Sequence, residues 1–341
     1  MKKKIYILLL AFLPVLASIG IQLAAAVLVG FWFSVVTVVR LLLEGISDPE
    51  SLLAGTVTLL LDPLFNDILM IVTFVALVVV FLIWYRKQKG KPAPTPFNEA
   101  FCIRNITIIL ISGLAAQVAV SMCLNLVLPL FPDVYERYSA LIENLVGGNV
   151  IVSVVSTAVL APIAEELIFR ELMTKQLRQI FPFWIANLIQ ALAFGVYHMN
   201  IVQAVYAFFL GLLLGYVAYR MRSIKVSILL HSIVNASGLV LDIILPDALF
   251  ESTMGMIIFA VLCSAIAILL TLLYRFPNIT ESIDGTIPTS DLSISVTETE
   301  PAYDTCVLPT ETPKESDVSD DFASCATEAN DSDEPQNPES L

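Results

Sequence analysis

Charged side chains and histidine are the residue types that this chain of 341 residues has least of. Only 14% of its residues are Asp, Glu, Lys or Arg and only two are histidine, whereas 57% are hydrophobic. The mean hydropathy of +0.83 lies far above the range of soluble globular domains. The composition therefore argues against a soluble enzyme and predicts a polytopic membrane protein.

Cysteine is scarce as well, and the five cysteines follow no ligand spacing. They give no support to a disulfide framework or to a cysteine-ligated zinc site. A glycine-rich phosphate loop, an internal repeat and a basic, aromatic surface are also missing from the sequence. We therefore expect no nucleic-acid partner.

The net charge of −13 is concentrated at the C-terminal end. Residues 276–341 contain sixteen acidic residues and one lysine, a net charge of −15, and the preceding 275 residues carry +2. Such a Ser-, Thr- and Pro-rich acidic segment cannot bury enough apolar area to offset its ordering entropy. The sequence predicts a disordered acidic tail.

Long apolar runs fill the rest of the chain. A membrane-spanning helix needs about 20 apolar residues, and continuous runs without alternation favour helices, which satisfy their own backbone in lipid. We predict an all-α fold of about eight transmembrane helices: 5–38, 64–85, 103–130, 147–170, 183–199, 202–219, 226–245 and 253–274. Only Met199–Ile201 separates the fifth from the sixth, which predicts a tight antiparallel pair.

Four regions are predicted: N-terminal transmembrane helices 1 to 3 (1–146), a core of four further helices (147–245), the last transmembrane helix (246–275) and the tail (276–341). Lys and Arg are enriched in one set of loops, from Lys2–Lys4 to Arg275. By the positive-inside rule these loops are cytoplasmic. Both termini are therefore expected in the cytoplasm.

The densest charge cluster within an apolar run contains Glu165, Glu166 and Arg170. Glu166 and Arg170 are four residues apart, so they share a helix face and can pair. Glu165 lies about 100° around the helix, and is left over as a candidate general base. The alternative is a cluster at a helix end near the cytoplasmic surface, because Lys175 and Arg178 follow shortly.

Both histidines also lie in apolar runs. His198 follows Phe194 by four residues, and His231 precedes Asn235 by four. Ionisable groups in a membrane are costly and therefore indicate function. Taken separately, each histidine is as well explained by a hydrogen bond between helices. Together with Glu165 and Asn235, the histidines supply a base, two imidazoles and an amide donor, which a hydrolase needs to activate water and stabilise an oxyanion.

These residues resemble the motifs of the CAAX-processing and bacteriocin-processing endopeptidases, the ABI or CPBP family of intramembrane proteases. That family has EExxxR, FxxxH and HxxxN motifs on three transmembrane helices. The resemblance covers roughly residues 147–245. The chain contains all three motifs in order: Glu165-Glu166-x-x-x-Arg170, Phe194-x-x-x-His198 and His231-x-x-x-Asn235.

The resemblance implies an intramembrane endopeptidase in which Glu165 activates the attacking water and His198 helps to position it. His231 and Asn235 resemble the pair that stabilises the oxyanion. Glu166 and Arg170 are implied as support for the first carboxylate.

The resemblance also implies a peptide or membrane-anchored protein as substrate, contact with membrane lipid, and a location in a bacterial plasma membrane. Bacterial relatives are often linked to bacteriocin processing or self-immunity, and eukaryotic ones cleave after a prenylated cysteine.

Three alternatives stay open at this point. Zinc is possible, with Glu165, His198 and His231 as ligands, although we favour a metal-free glutamate mechanism because HExxH is absent. The chain could also be a non-catalytic immunity or peptide-sequestering protein. A transporter has less support, because no paired broken helices or inverted repeat is found.

The depths of the two histidines fit a common site poorly. At 1.5 Å per residue, His198 lies about 22 Å from the cytoplasmic start of its helix and His231 only about 8 Å. A shared site therefore predicts that the fifth helix is strongly tilted, re-entrant or buried in protein.

Overall fold

A computed structural model of the chain describes residues 2–59, 62–88, 96, 100–244 and 252–272. These residues form helices and no strands, so the predicted all-α class is confirmed. The helices are α1 (Lys2–Leu43), α2 (Pro49–Leu59), α3 (Pro63–Lys87), α4 (Ile103–Val127), α5 (Pro132–Val146), α6 (Val150–Leu177), α7 (Phe183–Tyr197), α8 (Ile201–Arg220), α9 (Ile224–Ile244) and α10 (Thr253–Leu272).

Seven of these helices are long and apolar enough to cross a membrane, judged by length and composition: α1, α3, α4 (with a 3-10 turn to Leu130), α6, α8, α9 and α10. The chain is thus an integral membrane protein. The fifth predicted span, 183–199, is present as α7, but the 15 residues of this helix are fewer than the roughly 20 that span a bilayer. The short α2 and α5 were not predicted.

Helix α6 lies at the centre of the larger apolar core. Its residues Ala164, Leu167 and Ile168 pack against side chains of α1 and α3, including Ala11 and Phe81. The N-terminal helices therefore contribute directly to the core around the predicted catalytic helix. Asp67 of α3 also accepts a hydrogen bond at 2.9 Å from the backbone of Asn149, the N-cap of α6.

Helices α7 and α8 form an antiparallel hairpin on another side of α6. At its base, Phe183 stacks on Tyr219 with ring centroids 3.9 Å apart. At its tip, Met199 adopts a left-handed φ of 52°, and the Asn200 side chain caps the first turn of α8. The predicted tight pair is therefore present.

A second apolar cluster joins α8 and α9 to α4, through residues such as Leu214, Leu230 and Ile109. Helix α10 packs on α4, with Met256 and Ala260 against Met122. The predicted disordered tail (276–341) lies outside the described residues, as do parts of the predicted last-helix region (246–275).

Candidate active site

Helix α6 carries two π-helical stretches, Val155–Leu160 and Leu167–Met173, on either side of the turns that hold Glu165 and Glu166. In a π-helix each N–H bonds to the carbonyl five residues earlier, as Ala161 does to Ser156. The next N–H would belong to residue 162, which is proline and has none. The carbonyl of Thr157 is thereby left without its π-helical donor.

Asn235 of α9 donates its side-chain Nδ2–H to this carbonyl of Thr157 at 2.8 Å. The hydrogen bond ties α9 to α6 and occupies one of the two N–H groups of the Asn235 amide. Asn235 therefore lies beside α6 as the HxxxN spacing requires, but part of its donor capacity has a structural use that the sequence did not indicate.

Glu166 is fully buried and has three polar partners. Its Oε1 lies 2.9 Å from Nη1 of Arg170, on the same helix, as predicted. The same oxygen lies 3.0 Å from Nδ1 of His231, and Oε2 accepts a hydrogen bond from Ser227 Oγ at 2.6 Å. Since carboxylate oxygens only accept here, Nδ1 of His231 carries the proton.

Arg170 is enclosed by three elements. Besides Glu166, its guanidinium lies 4.5 Å from the ring centroid of Phe194 in α7. Its Nη2 donates to the backbone oxygen of Gly211 in α8 at 3.4 Å. A buried cation needs such compensation, because an unpaired charge in the interior costs several kcal/mol.

Glu165 has a different environment from its neighbour. Its Oε2 lies 3.6 Å from Nε2 of His231, beyond ordinary hydrogen-bond distance. The residue is 9% exposed, whereas Glu166 is 0% exposed. His231 therefore links the two carboxylates, with Nδ1 toward Glu166 and Nε2 toward Glu165.

His198 caps the C-terminal end of α7, and its Nδ1 lies 2.8 Å from the carbonyl oxygen of Phe194. A carbonyl only accepts, so Nδ1 carries the proton and Nε2 keeps a lone pair in the neutral ring. The described contacts of His198 are with Phe194 and Tyr197 and include neither glutamate.

Phe194 connects the two histidines. Its ring centroid lies 4.9 Å from that of His198 and 5.8 Å from that of His231, both in edge-to-face arrangements. The short α7 brings its C-terminal end, rather than its middle, to the centre of the site. The Phe194 ring thus contacts both imidazoles. Among the described contacts, none joins the two imidazoles directly.

A catalytic zinc ion in a protein usually has three protein ligands. Within the described ranges, no three His, Cys, Asp or Glu side chains are arranged to hold a metal ion. Glu165 and His231 are close enough to share one, but the arrangement of His198 does not complete the predicted set. The residues as placed do not fit a three-ligand zinc site.

Ser227 was missed in the sequence. It precedes His231 by four residues, as His231 precedes Asn235, so the three side chains follow one face of α9. This spacing was a usable signal. Its hydroxyl lies within hydrogen-bond distance of both Glu166 and the Leu214 carbonyl.

The segment that brings these side chains together also matches a known family. Residues 147–237 match the family model described as type II CAAX prenyl endopeptidase Rce1-like. This segment is therefore similar to the Rce1-like CAAX proteases. The match contains all three motifs and supports the resemblance given above. Comparison with curated proteins and with solved structures found no match.

Proposed function

We propose that the chain is an intramembrane endopeptidase of the glutamate type. The observation that carries this proposal is the pair of adjacent carboxylates joined by His231 within the Rce1-like domain. Glu166 is held by Arg170, His231 and Ser227, whereas the contact described between Glu165 and His231 is longer than a hydrogen bond. The loosely held Glu165 is free to take part in proton transfer.

In this mechanism Glu165 accepts a proton from a water molecule, and the resulting hydroxide attacks the carbonyl carbon of the scissile peptide bond. His198 accepts a hydrogen bond from the water through Nε2, because Nδ1 is engaged by Phe194. As the tetrahedral intermediate collapses, the carbon–nitrogen bond breaks and Glu165–H returns the proton to the leaving amine. Protons and charge balance over the cycle.

In this proposal the oxyanion of the intermediate is stabilised by Asn235 and by Nε2–H of His231. Because Nδ1–H of His231 already donates to Glu166, this role requires the doubly protonated imidazolium, in which both ring nitrogens donate. The remaining N–H of the Asn235 amide is available, because only one is needed for Thr157. Glu166 orients His231 by accepting from Nδ1 and directs Nε2 toward Glu165. Preorganised donors of this kind typically contribute about 10²–10³ in kcat.

No metal or organic cofactor takes part in the proposed reaction. The substrate is a peptide or a membrane-anchored protein cleaved near the membrane surface. The name of the matched family makes a prenylated Cys-a-a-X peptide the first substrate to test.

We place both termini in the cytoplasm of a bacterial cell. The Lys- and Arg-rich loops support this orientation. Phe183 and Tyr219 stack on each other, so the start of α7 and the end of α8 lie close together, as expected if both are at the cytoplasmic side. The hydrogen bond between Asn149 and Asp67 brings the starts of α3 and α6 together, as this orientation requires.

The decisive experiment compares wild type with Glu165→Gln in liposomes, using a farnesylated Cys-a-a-X peptide and its unprenylated counterpart. Glutamine keeps the shape but cannot accept the proton, so kcat should fall by about 10²–10⁴-fold while the melting temperature stays near wild type. Cleavage by Glu165→Gln at a near wild-type rate would show that the base assignment is wrong. Full activity after exhaustive chelation is expected, and loss that zinc restores would favour the metal mechanism.

The same variant separates catalysis from the alternative of an immunity or peptide-sequestering protein. If expression of the chain protects cells against a peptide toxin and Glu165→Gln protects equally well, binding alone accounts for the phenotype. Loss of protection together with loss of cleavage supports the protease.

A further inference from the structure

Gln190 is a fully buried amide that the proposed mechanism does not use. It lies one turn before Phe194 on α7. Its Nε2 donates at 2.8 Å to the backbone oxygen of Gly211 and at 2.8 Å to Oδ1 of Asn187. The Gly211 oxygen is the same atom that accepts from Arg170. Gln190 and Arg170 therefore share one acceptor on α8.

The amide oxygen of Gln190, unlike its nitrogen, adds no hydrogen bond within the described residues. Its Oε1 is buried and finds no hydrogen-bond partner within the described residues. A buried acceptor without a partner costs free energy of folding, and an apolar side chain of similar shape avoids that cost. Stability alone thus gives little reason for an amide here, and its role is better sought in the position of its donor.

Helices α7 and α8 approach each other closely at Gly211, beside Arg170. A Cβ atom at this position would lie 3.1 Å from Ala191 Cα and 3.2 Å from Phe194 Cδ1. The guanidinium of Arg170 contacts the Phe194 ring from α7 and the Gly211 oxygen from α8. Its pocket therefore has one wall on each helix, and the Gln190 bond joins the two walls beside the cation.

We infer that Gln190 is a positioning residue of the proposed active site. By fixing α7 against α8 at Gly211, it holds Arg170 in place, and through Arg170 it holds Glu166 and His231. The inference rests on the proposed function for its effect on catalysis, whereas the link between Gln190 and Arg170 rests on the contacts alone.

The test replaces Gln190 with methionine, which keeps the length and removes the donor. In this variant Asn187 Oδ1 loses the hydrogen bond that it accepts from Gln190, but the buried Gln190 oxygen without a partner is removed as well. Because these two effects on stability oppose each other, the melting temperature in detergent should stay near wild type. We expect kcat to fall by about tenfold, the loss that corresponds to one hydrogen bond's contribution, with KM unchanged. Thr271→Val, which removes a buried hydroxyl bonded within α10, is the control and should leave kcat unchanged.

A double-mutant cycle with Arg170→Lys distinguishes positioning from general packing. Lysine retains a charge for Glu166 but lacks the second nitrogen that reaches Gly211. If Gln190 acts through Arg170, Gln190→Met should lower kcat by less than about twofold in the Arg170→Lys background, since coupled residues are not additive. A full tenfold loss in both backgrounds would overturn the inference.

Melting temperatures of the same four proteins test the link without an assay of cleavage. Coupling between the two substitutions is expected, because both donors share the Gly211 oxygen, and strictly additive shifts contradict the inference. If wild type cleaves neither peptide, the proposed function fails and this thermal cycle alone decides the link. If wild type is active and Gln190→Met is equally active, the inference fails and the proposed function stands.

Discussion

Glu165 and Glu166 are adjacent residues of identical chemistry with different surroundings. Glu166 is held by an ion pair with Arg170 and by hydrogen bonds with His231 and Ser227. The closest contact described for Glu165 is with His231, at 3.6 Å. A carboxylate held by an ion pair and two hydrogen bonds is a poorer proton acceptor than one without such close contacts. These contacts support the proposal that Glu165 is the general base and that Glu166 has a supporting role.

This difference predicts that Glu166→Gln lowers stability and activity together. The substitution leaves Arg170 without its carboxylate in a buried site, and breaking such a pair typically costs about 3–5 kcal/mol. Activity should fall because the neutral amide oxygen of glutamine is a weaker acceptor for Nδ1–H of His231 than the carboxylate is. Thermal denaturation in detergent and the cleavage assay measure the two effects.

Removing the stranded cation should recover part of that stability. In Glu166→Gln with Arg170→Met, the cation that lost its carboxylate is gone, but the charge-assisted hydrogen bonds with His231 and Ser227 are not restored. A double variant no more stable than Glu166→Gln alone would contradict the assigned pairing. Glu165→Gln is the matched control, since it should retain the wild-type melting temperature.

At the scale of elements, close packing of the α7–α8 hairpin places His198. Gly195 lies three residues before His198, and a Cβ atom there would come within 2.6 Å of the backbone oxygen of Ala204 in α8. That distance is too short for real atoms, so any larger residue forces the helices apart. The hairpin thus depends on a side chain being absent at one position.

Gly195→Ala is therefore expected to destabilise the protein by about 1–3 kcal/mol, the usual cost of overpacking. Because the helix end that carries His198 must shift, activity should fall as well. Thermal melting and the cleavage assay follow both effects.

Gly20→Ala provides the matched control within α1. Among the described residues, nothing lies within 4 Å of a Cβ atom at Gly20, and alanine is favoured over glycine in helices by about 1 kcal/mol. This variant should be as stable as wild type or more so. Equal stability of the two variants would mean that the close approach at Gly195 is misjudged.

At the scale of the whole molecule, the polar site is enclosed by helices whose outer faces are apolar. Side chains such as Leu9, Phe31 and Trp32 of α1 are largely exposed, whereas Ala11 on the same helix is fully buried against the core around α6. In lipid such outer faces need no cover. The assembly of helices, and not the acidic tail, is expected to carry both folding and activity.

Truncation after residue 280 tests that expectation. The described core ends at Leu272, and the removed segment has the composition of a disordered region. The truncated protein should insert into membranes, melt at the wild-type temperature and cleave at the wild-type rate. Loss of membrane assembly would show that the tail has a structural role.

The helices of the structure agree closely with those predicted from the sequence, because membrane helices need long continuous apolar runs. The start of α4 and the starts of α7 and α10 lie at the predicted residues. The predicted C-terminal end of α6 was less accurate, because the helix was predicted to end at residue 170 and continues to Leu177. The role of the Glu166–Arg170 spacing was also predictable, because residues four apart meet on any helix.

Hydropathy and residue spacing are local properties, so the class of molecule, the helices and the three motifs could be predicted from the sequence. The contacts between the polar groups follow instead from the packing of the helices. In the folded protein Glu166 accepts hydrogen bonds from His231 and Ser227, and Asn235 donates to the Thr157 carbonyl, for which Pro162 has no N–H. Phe194 lies between the two histidines. These contacts join residues far apart in the chain, and they depend on how the helices pack, which local spacing does not encode.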